Sequence, residues 1–173
     1  MSTKFKVDVS AGDISINKNV ITVKGKEGQL ETGIRYPFLK VKREGDQLMI
    51  ETEKDIAYQK AIAGTLAAEV RNMIIGVNEK FTAELELIYM HFPATMKVAG
   101  EKLVVENFVG ERKPREINLP KGVEVKVSGT KIKISGISRY LVGQVAGTIE
   151  SKIQIKNKDR RVFKDGIFIT KKP

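Results

Sequence analysis

The chain has no cysteine, no tryptophan and a single histidine, His91, among its 173 residues. Without cysteine there is no disulfide, no thiolate nucleophile and no sulfur ligand for zinc, and one histidine does not build a metal site. Aromatic residues make up only 6% of the chain, and prolines number five. No apolar run approaches the roughly 18 residues of a membrane-spanning helix. The opening stretch MSTKFKVDVS has no apolar core of the secretory type, and N-x-S/T sequons are absent. A cytosolic protein is the expectation, with no metal, no cofactor and no membrane anchor.

What is present is positive charge, unevenly spread. The formal net charge is +10 and the sequence pI is about 9.7, a footprint shared by many nucleic-acid-binding domains. Residues 1–90 hold 13 Lys and Arg against 13 Asp and Glu, so they sum to zero. Residues 91–173 hold 18 against 8 and carry the whole excess. Solubility does not need such lopsidedness, whereas a polyanionic partner on the second half does.

The chain also repeats itself. IAGTLAAEV at 62–70 returns as VAGTIESKI at 145–153. Ala63-Gly64-Thr65 matches Ala146-Gly147-Thr148, and Ile62, Leu66 and Val70 match Val145, Ile149 and Ile153. A step of four residues puts each apolar set on one helix face. Two hairpin-like units precede each helix. They are DISINKNVITVKG and FLKVKREGDQLMIET in the first half, with ATMKVAGEKLVVEN and VEVKVSGTKIKIS in the second. Turns are expected at Lys18-Asn19, Gly45-Asp46, Gly100-Glu101 and Gly129-Thr130. FTAELELIYM then reads as a closing strand of the first half that can run straight into the second, with the boundary around residues 81–94, and RRVFKDGIFIT as its counterpart, with Asp165-Gly166 as a tight turn. The expected fold is α+β: two tandem duplicated domains, 1–85 and 86–173, each a small antiparallel sheet covered by one helix.

Catalytic chemistry finds little support. Thr65 and Thr148 lack a neighbouring base to activate them. The shared AGT instead reads as packing, with glycine allowing the helix close to the sheet and threonine bonding back to a carbonyl one turn earlier. His91 reads as a partly buried junction residue. Glu51/Glu53 and Glu84/Glu86 fit solvated strand positions. GKEG at 25–28 and AGEK at 99–102 lack the spacing and the Ser/Thr of a phosphate loop. Neither an enzyme nor a small-molecule substrate is expected.

Three basic stretches remain. GERKPREI places Arg112, Lys113 and Arg115 around Pro114, between the hairpins of the second half. Lys126, Lys131 and Lys133 alternate along a hairpin and share a face, either simply solvated or turned to a polyanion. The last eighteen residues, KNKDRRVFKDGIFITKKP, carry Lys156, Lys158, Arg160, Arg161, Lys164, Lys171 and Lys172 against two Asp. Arg offers a fork of donors to phosphate, an aromatic such as Phe163 stacks on an exposed base, and Gly166 lets backbones approach. That combination suits irregular RNA. Phe163 and Phe168 also fit a strand packed on its sheet. An anionic membrane surface bound by the tail is the alternative reading. A duplex-DNA role lacks a helix dense in Lys and Arg.

The tandem hairpin–hairpin–helix repeat, the helix beginning near SRYLVGQVAGTIES and the segment RRVFKDGIFITKK together resemble the universal large-subunit ribosomal protein six (the L-six family), in its archaeal–eukaryotic branch. Where bacterial members have a Pro-Tyr-Lys-Gly-Lys-Gly-like form, this chain has VFKDG. The resemblance implies a duplicated α+β fold and a non-catalytic, structural role in the translating ribosome. The implied partners are large-subunit rRNA near the factor-binding region and the sarcin–ricin loop, neighbouring ribosomal proteins, and passing translation factors. It also implies rRNA contacts at Arg160, Arg161, Phe163, Lys164 and Gly166. Lys156, Lys158, Arg112, Lys113 and Arg115 join them on charge alone.

Overall fold

Alternating apolar residues and two-residue turns build most of the molecule as antiparallel hairpins. The structure is a computed structural model and describes residues 4–10, 12–17, 19–159 and 161–173. The chain divides into two units, Met1–Lys80 and Phe81–Pro173. The first contains β1 (Lys4–Asp8), β2 (Asp13–Asn17), β3 (Val20–Gly25), β4 (Gly28–Gly33), β5 (Leu39–Glu44), β6 (Gln47–Thr52) and the helix α1 (Ala57–Asn78). The second contains β7 (Phe81–Ile88), β8 (Thr95–Ala99), β9 (Lys102–Glu106), β10 (Arg115–Asn118), β11 (Val123–Ser128), β12 (Lys131–Gly136), α2 (Arg139–Lys152) and β13 (Gly166–Lys171). Each unit is α+β, with one α-helix and two small antiparallel sheets, and the second adds a 3-10 turn at Phe108–Gly110. The strand orders are β2-β3-β4 and β1-β6-β5 in the first, β10-β9-β8 and β11-β12-β7-β13 in the second.

Three of the hairpin turns fall where the glycines put them. Glu44 pairs with Gln47, Ala99 with Lys102 and Ser128 with Lys131. The first turn residue in each is Gly45, Gly100 or Gly129, all at φ +60°. Glycine takes this conformation without steric cost, and its place matches the two-residue turns that suit strand twist. At the fourth turn Asn17 pairs with Val20, while Lys18 lies outside the described residues.

Strand β7 corrects the expected domain plan. It follows α1 after only Glu79 and Lys80, yet it does not close the first unit. It pairs with β12 on one side and β13 on the other. The two units then run in the same order: a lone strand, a three-stranded meander, a hairpin, a helix. β1 beside β6 matches β7 beside β12, so β7 opens the second copy and the division falls after Lys80 rather than after residue 85. β13 is the element without a counterpart. Alternation identified FTAELELIYM as a strand, but alternation does not say which sheet a strand joins. The short strands β1, β4 and β10 were also not singled out in the sequence.

Each helix buries the face that its spacing predicts. Leu66 and Val70 are buried in the first core, with Ile62 packed at its margin. Val145, Ile149 and Ile153 are buried in the second. The close approach comes from the alanines of AGT, since Ala63 and Ala146 are both 0% exposed. The glycines do not carry it. A Cβ on Gly147 would meet nothing within 4 Å, and one on Gly64 would meet only the Phe5 ring, at 3.6 Å. Thr65 does bond back, its hydroxyl donating to the Ala61 carbonyl at 2.9 Å. A true close approach occurs at Gly25 instead, where a Cβ would stand 2.5 Å from Val77 Cγ2 and 2.8 Å from the Val77 carbonyl oxygen.

These distances set opposite outcomes for two substitutions. Gly147→Ala gains helix propensity in open space and is expected to stabilise the protein by about 0.5–1 kcal/mol. Gly25→Ala forces β3 away from α1 and is expected to destabilise by about 1–3 kcal/mol. Denaturant unfolding of both variants checks the pair. A loss of stability in Gly147→Ala would restore the glycine-contact account.

Candidate nucleic-acid interface

The basic tail consists of a loop and a strand. β13 pairs with β7, and Ile167 is fully buried in the core. The loop between α2 and β13 is pinned at its base. Gln154 bridges to Gly166, and the Ile167 N–H donates to the Ile153 carbonyl at 3.3 Å. Gly166 fits tightly here, since a Cβ would lie 3.2 Å from the Phe168 ring and 3.3 Å from the Ile153 carbonyl oxygen. Its role in the structure is therefore packing, and Phe168 lies half-buried over it in the strand.

Within the loop, Asp159 organises a turn. Its backbone carbonyl accepts from the N–H of Val162 and of Phe163, at 3.1 and 2.9 Å. Its carboxylate takes the Arg161 N–H at 2.9 Å and the Arg161 guanidinium at 2.8–3.1 Å. The guanidinium contact holds the Asp159 carboxyl below its usual pKa, with the backbone N–H adding to the effect. Arg161 is thus exposed but already forked onto an acid. Phe163 is half-buried, with the Lys158 ammonium 4.5 Å from its ring centroid and the His91 ring 5.4 Å away on a 34° tilt. Lys156, Lys158 and Lys164 are exposed and have no salt bridge among the described residues. Arg160 lies outside the described residues.

The stretch 110–117 splits in the same way. Arg112 and Lys113 are exposed on the loop before β10, again without a salt bridge among the described residues. Arg115 is a clamp. Its Nε donates to Glu111 at 2.8 Å, and its Nη1 donates to the carbonyls of Lys152 and Gln154, both at 3.0 Å. Its guanidinium also lies 4.5 Å from the Phe108 ring centroid. A cation on the last carbonyls of a helix meets the negative end of the helix dipole. The hydrogen bonds from Arg115 hold the Glu111 carboxyl below its usual pKa. One residue therefore ties the Arg112–Lys113 loop to the base of the basic tail.

The outer face of the β11-β12-β7-β13 sheet is mixed in sign. Lys126, Lys133, Glu84 and Lys171 follow one another across the four strands, and Lys131, Glu86 and Phe168 form the neighbouring row. Lys126 also pairs with Glu124 at 2.9 Å. The two glutamates on the central strand dilute this face, so the loops at its edge are the most cationic part of the second unit. Among the described residues no group of three His, Asp or Glu is arranged to hold a metal, and no helix is long and apolar enough to cross a membrane.

Comparison with known proteins now decides the family. The family model described as Ribosomal protein L6 matches twice, over residues 7–80 and 92–166. The chain belongs to the ribosomal protein L6 family. It is similar to the large ribosomal subunit protein uL6 of Methanosarcina mazei, 42% identical over 159 residues, which covers 92% of this chain and 90% of that protein. The uL6 of Methanocella arvoryzae is 37% identical and covers 96% of both chains. That of Haloarcula marismortui is 38% identical over 88% of this chain and 86% of the relative. These L6 relatives are structural proteins of the large ribosomal subunit, not enzymes.

The residue that sequence reasoning misplaced in this L6 chain is Asp165. It reads as a tight-turn residue, but its side chain is 1% exposed. Oδ1 accepts the Met90 N–H at 2.9 Å, while Oδ2 makes no hydrogen bond among the described residues and lies 3.8 Å from His91 Nδ1. His91 is accordingly a packing partner of the loop through Phe163 and Asp165, with half of its side chain exposed. The only sequence signal was an acid directly before an apolar β-strand, which does not distinguish a turn from a buried strut. Asp165→Ala leaves the Met90 N–H without its acceptor and is expected to cost about 1–3 kcal/mol. Asp165→Asn keeps an acceptor and should cost less. Urea unfolding of the two variants checks this; equal losses would assign the role to charge rather than to the hydrogen bond.

Proposed function

We propose that this L6-family chain is a structural constituent of the large ribosomal subunit, located in the cytoplasm, that binds large-subunit rRNA mainly through its second unit. The observation that carries the reading is the set of exposed cations without salt bridges on two loops tied together by Arg115. These are Lys156, Lys158 and Lys164 on one loop, with Arg112 and Lys113 on the other. By structural unit, residues 81–173 hold 18 Lys and Arg against 10 Asp and Glu. Such cations bind by neutralising phosphates and releasing counterions, which needs no particular base sequence.

Roles within the set differ. Lys156, Lys158, Lys164, Arg112 and Lys113 are the phosphate contacts, with Arg160 assigned to them on sequence grounds alone. Arg161 is shared between Asp159 and the RNA, and its exposed pair can exchange. Arg115 and Gly166 support the loops from within. Phe163 meets a base only after Lys158 leaves its ring. The reading puts the bound rRNA near the factor-binding region and the sarcin–ricin loop, with other ribosomal proteins as neighbours and translation factors passing close by, and what supports it is the likeness to the L6 family.

The test is a salt titration of rRNA binding by the full chain and by a Lys156→Ala/Lys158→Ala/Lys164→Ala variant. Truncating the tail would remove β13 and break the sheet, so substitution is the informative perturbation. Three lost phosphate contacts should lower the slope of log K against log salt by roughly 2–3. An unchanged slope would remove the loop from the interface. Preferential binding to anionic vesicles over rRNA would support the lipid reading instead.

A further inference from the structure

The first unit sums to nearly zero charge, but the register of its sheet sorts that charge. On the outer face of β1-β6-β5, Lys4, Glu51 and Lys40 stand side by side, and Lys6, Met49 and Lys42 form the next row. Asp8, Gln47 and Glu44 form the row at the far end. Among these paired rows the acids thus collect at one end and four lysines at the other around Glu51, with Glu53 exposed just past the end of β6. Lys4 takes Glu51 at 2.7 Å, and the charges of Lys42 and Lys40 also help hold that carboxyl below its usual pKa. Met49 is buried without belonging to the core cluster, as expected for a side chain covered on the outer face by neighbouring lysine stems.

The cationic end continues into a cavity. About 450 Å³ of space lies along the free edge of β5, lined by Asn19, Arg35, Tyr36, Lys40 and Lys42 among others. Tyr36 also begins a short run of aromatic rings. Its centroid is 5.3 Å from that of Phe38, which is 6.3 Å from that of Tyr58. Tyr36 is 39% exposed and Tyr58 62% exposed. Cations beside accessible aromatic faces are the arrangement by which proteins take single-stranded nucleic acid, the cations following the backbone while bases stack on the rings.

We infer that this face of the first unit is a second RNA-binding surface. Lys6, Lys40, Lys42 and Arg35 meet phosphates, and Tyr36 or Tyr58 offers a ring to an unpaired base. Charge complementarity selects the occupant: Arg35, Lys40 and Lys42 line the cavity beside the apolar Ile34, Pro37, Leu39 and Val41, and among the described residues no acid offsets them there. The choice of ligand rests on the rRNA-binding reading proposed for the chain, but the surface uses no residue of the second unit.

The experiment uses the full chain with large-subunit rRNA, comparing wild type, Lys6→Ala/Lys42→Ala and Tyr36→Ala. Both lysines are exposed, so the double variant should stay folded, with a small drop in melting temperature from the loss of their stems over Met49. Loss of two phosphate contacts should lower the salt slope by roughly 1.4–1.8 and weaken binding at 0.1 M salt by about 25- to 60-fold. Tyr36→Ala should weaken binding with the slope unchanged. Ultraviolet crosslinking of the wild-type complex should yield RNA adducts on peptides containing Tyr36 or Tyr58. An unaltered slope in the double variant, together with adducts confined to residues 81–173, would overturn the inference while leaving the second-unit site standing. A normal loss in the double variant, with none on substituting Lys156, Lys158 and Lys164, would do the reverse. If the double variant loses only its binding to anionic vesicles, the surface belongs to lipid and the inference fails.

Discussion

Strand β7 is hydrogen-bonded along both edges, and the second unit is organised around that pairing. β12 on one side links β7 to the hairpin that matches the first unit. β13 on the other side has no equivalent in the first unit, and it brings the basic tail back to the sheet. Had the tail ended free, its seven cations would move on a loose chain and lose entropy on binding. Instead Ile167 is buried in the core, Gly166 sits against the Ile153 carbonyl, and Asp165 holds the Met90 N–H. The cationic loop is closed at its base before any ligand arrives, so part of the ordering cost is met by folding.

The legible part of the fold was the part set by local rules. Glycine at the first position of a two-residue turn marked three hairpins, and a four-residue apolar step marked both buried helix faces. What escaped was set by partners distant in sequence. Nothing in FTAELELIYM says that its neighbours lie at 131–136 and 166–171. The AGT repeat was rightly read as packing, but the contact was assigned to glycine when the flush residues are Ala63 and Ala146. A glycine in a helix suggests close approach, yet only the distance to a neighbour distinguishes that from a tolerated weak helix former.

Candidate-site residues divide along the same line. Lysines and arginines can be counted in a sequence, but their acidic partners often cannot be matched there. Arg115 and Arg112 look alike as letters three apart. One is spent on Glu111, the carbonyls of Lys152 and Gln154 and the Phe108 ring, while the other is exposed on its loop. Arg161 has an acid two residues away in sequence, and that pair was legible. The cation on Phe163 was not, because it needs the turn at Asp159 to bring Lys158 back over the ring.

The duplication makes the contrast in charge sharper. On the equivalent strands the outer sheet faces carry four lysines in the first unit and three in the second, where β13 adds Lys171, and they differ most in what the strand beyond the hairpin contributes. In the first unit that strand is β1 and brings Lys4 and Lys6. In the second it is β7 and brings Glu84 and Glu86. The sheet face whose four lysines surround Glu51 therefore belongs to the unit whose total charge is close to zero, while in the strongly positive unit Glu84 and Glu86 stand among the sheet lysines and further exposed cations gather on loops. Net charge sets the average sign of the field out to roughly the 10 Å screening length in 0.1 M salt, and beyond it salt damps the field. Contact with phosphate is decided inside that length, where the register of neighbouring strands sets the local sign. A sum over residues therefore indicates which half attracts an approaching polyanion. It does not identify where each half would touch one.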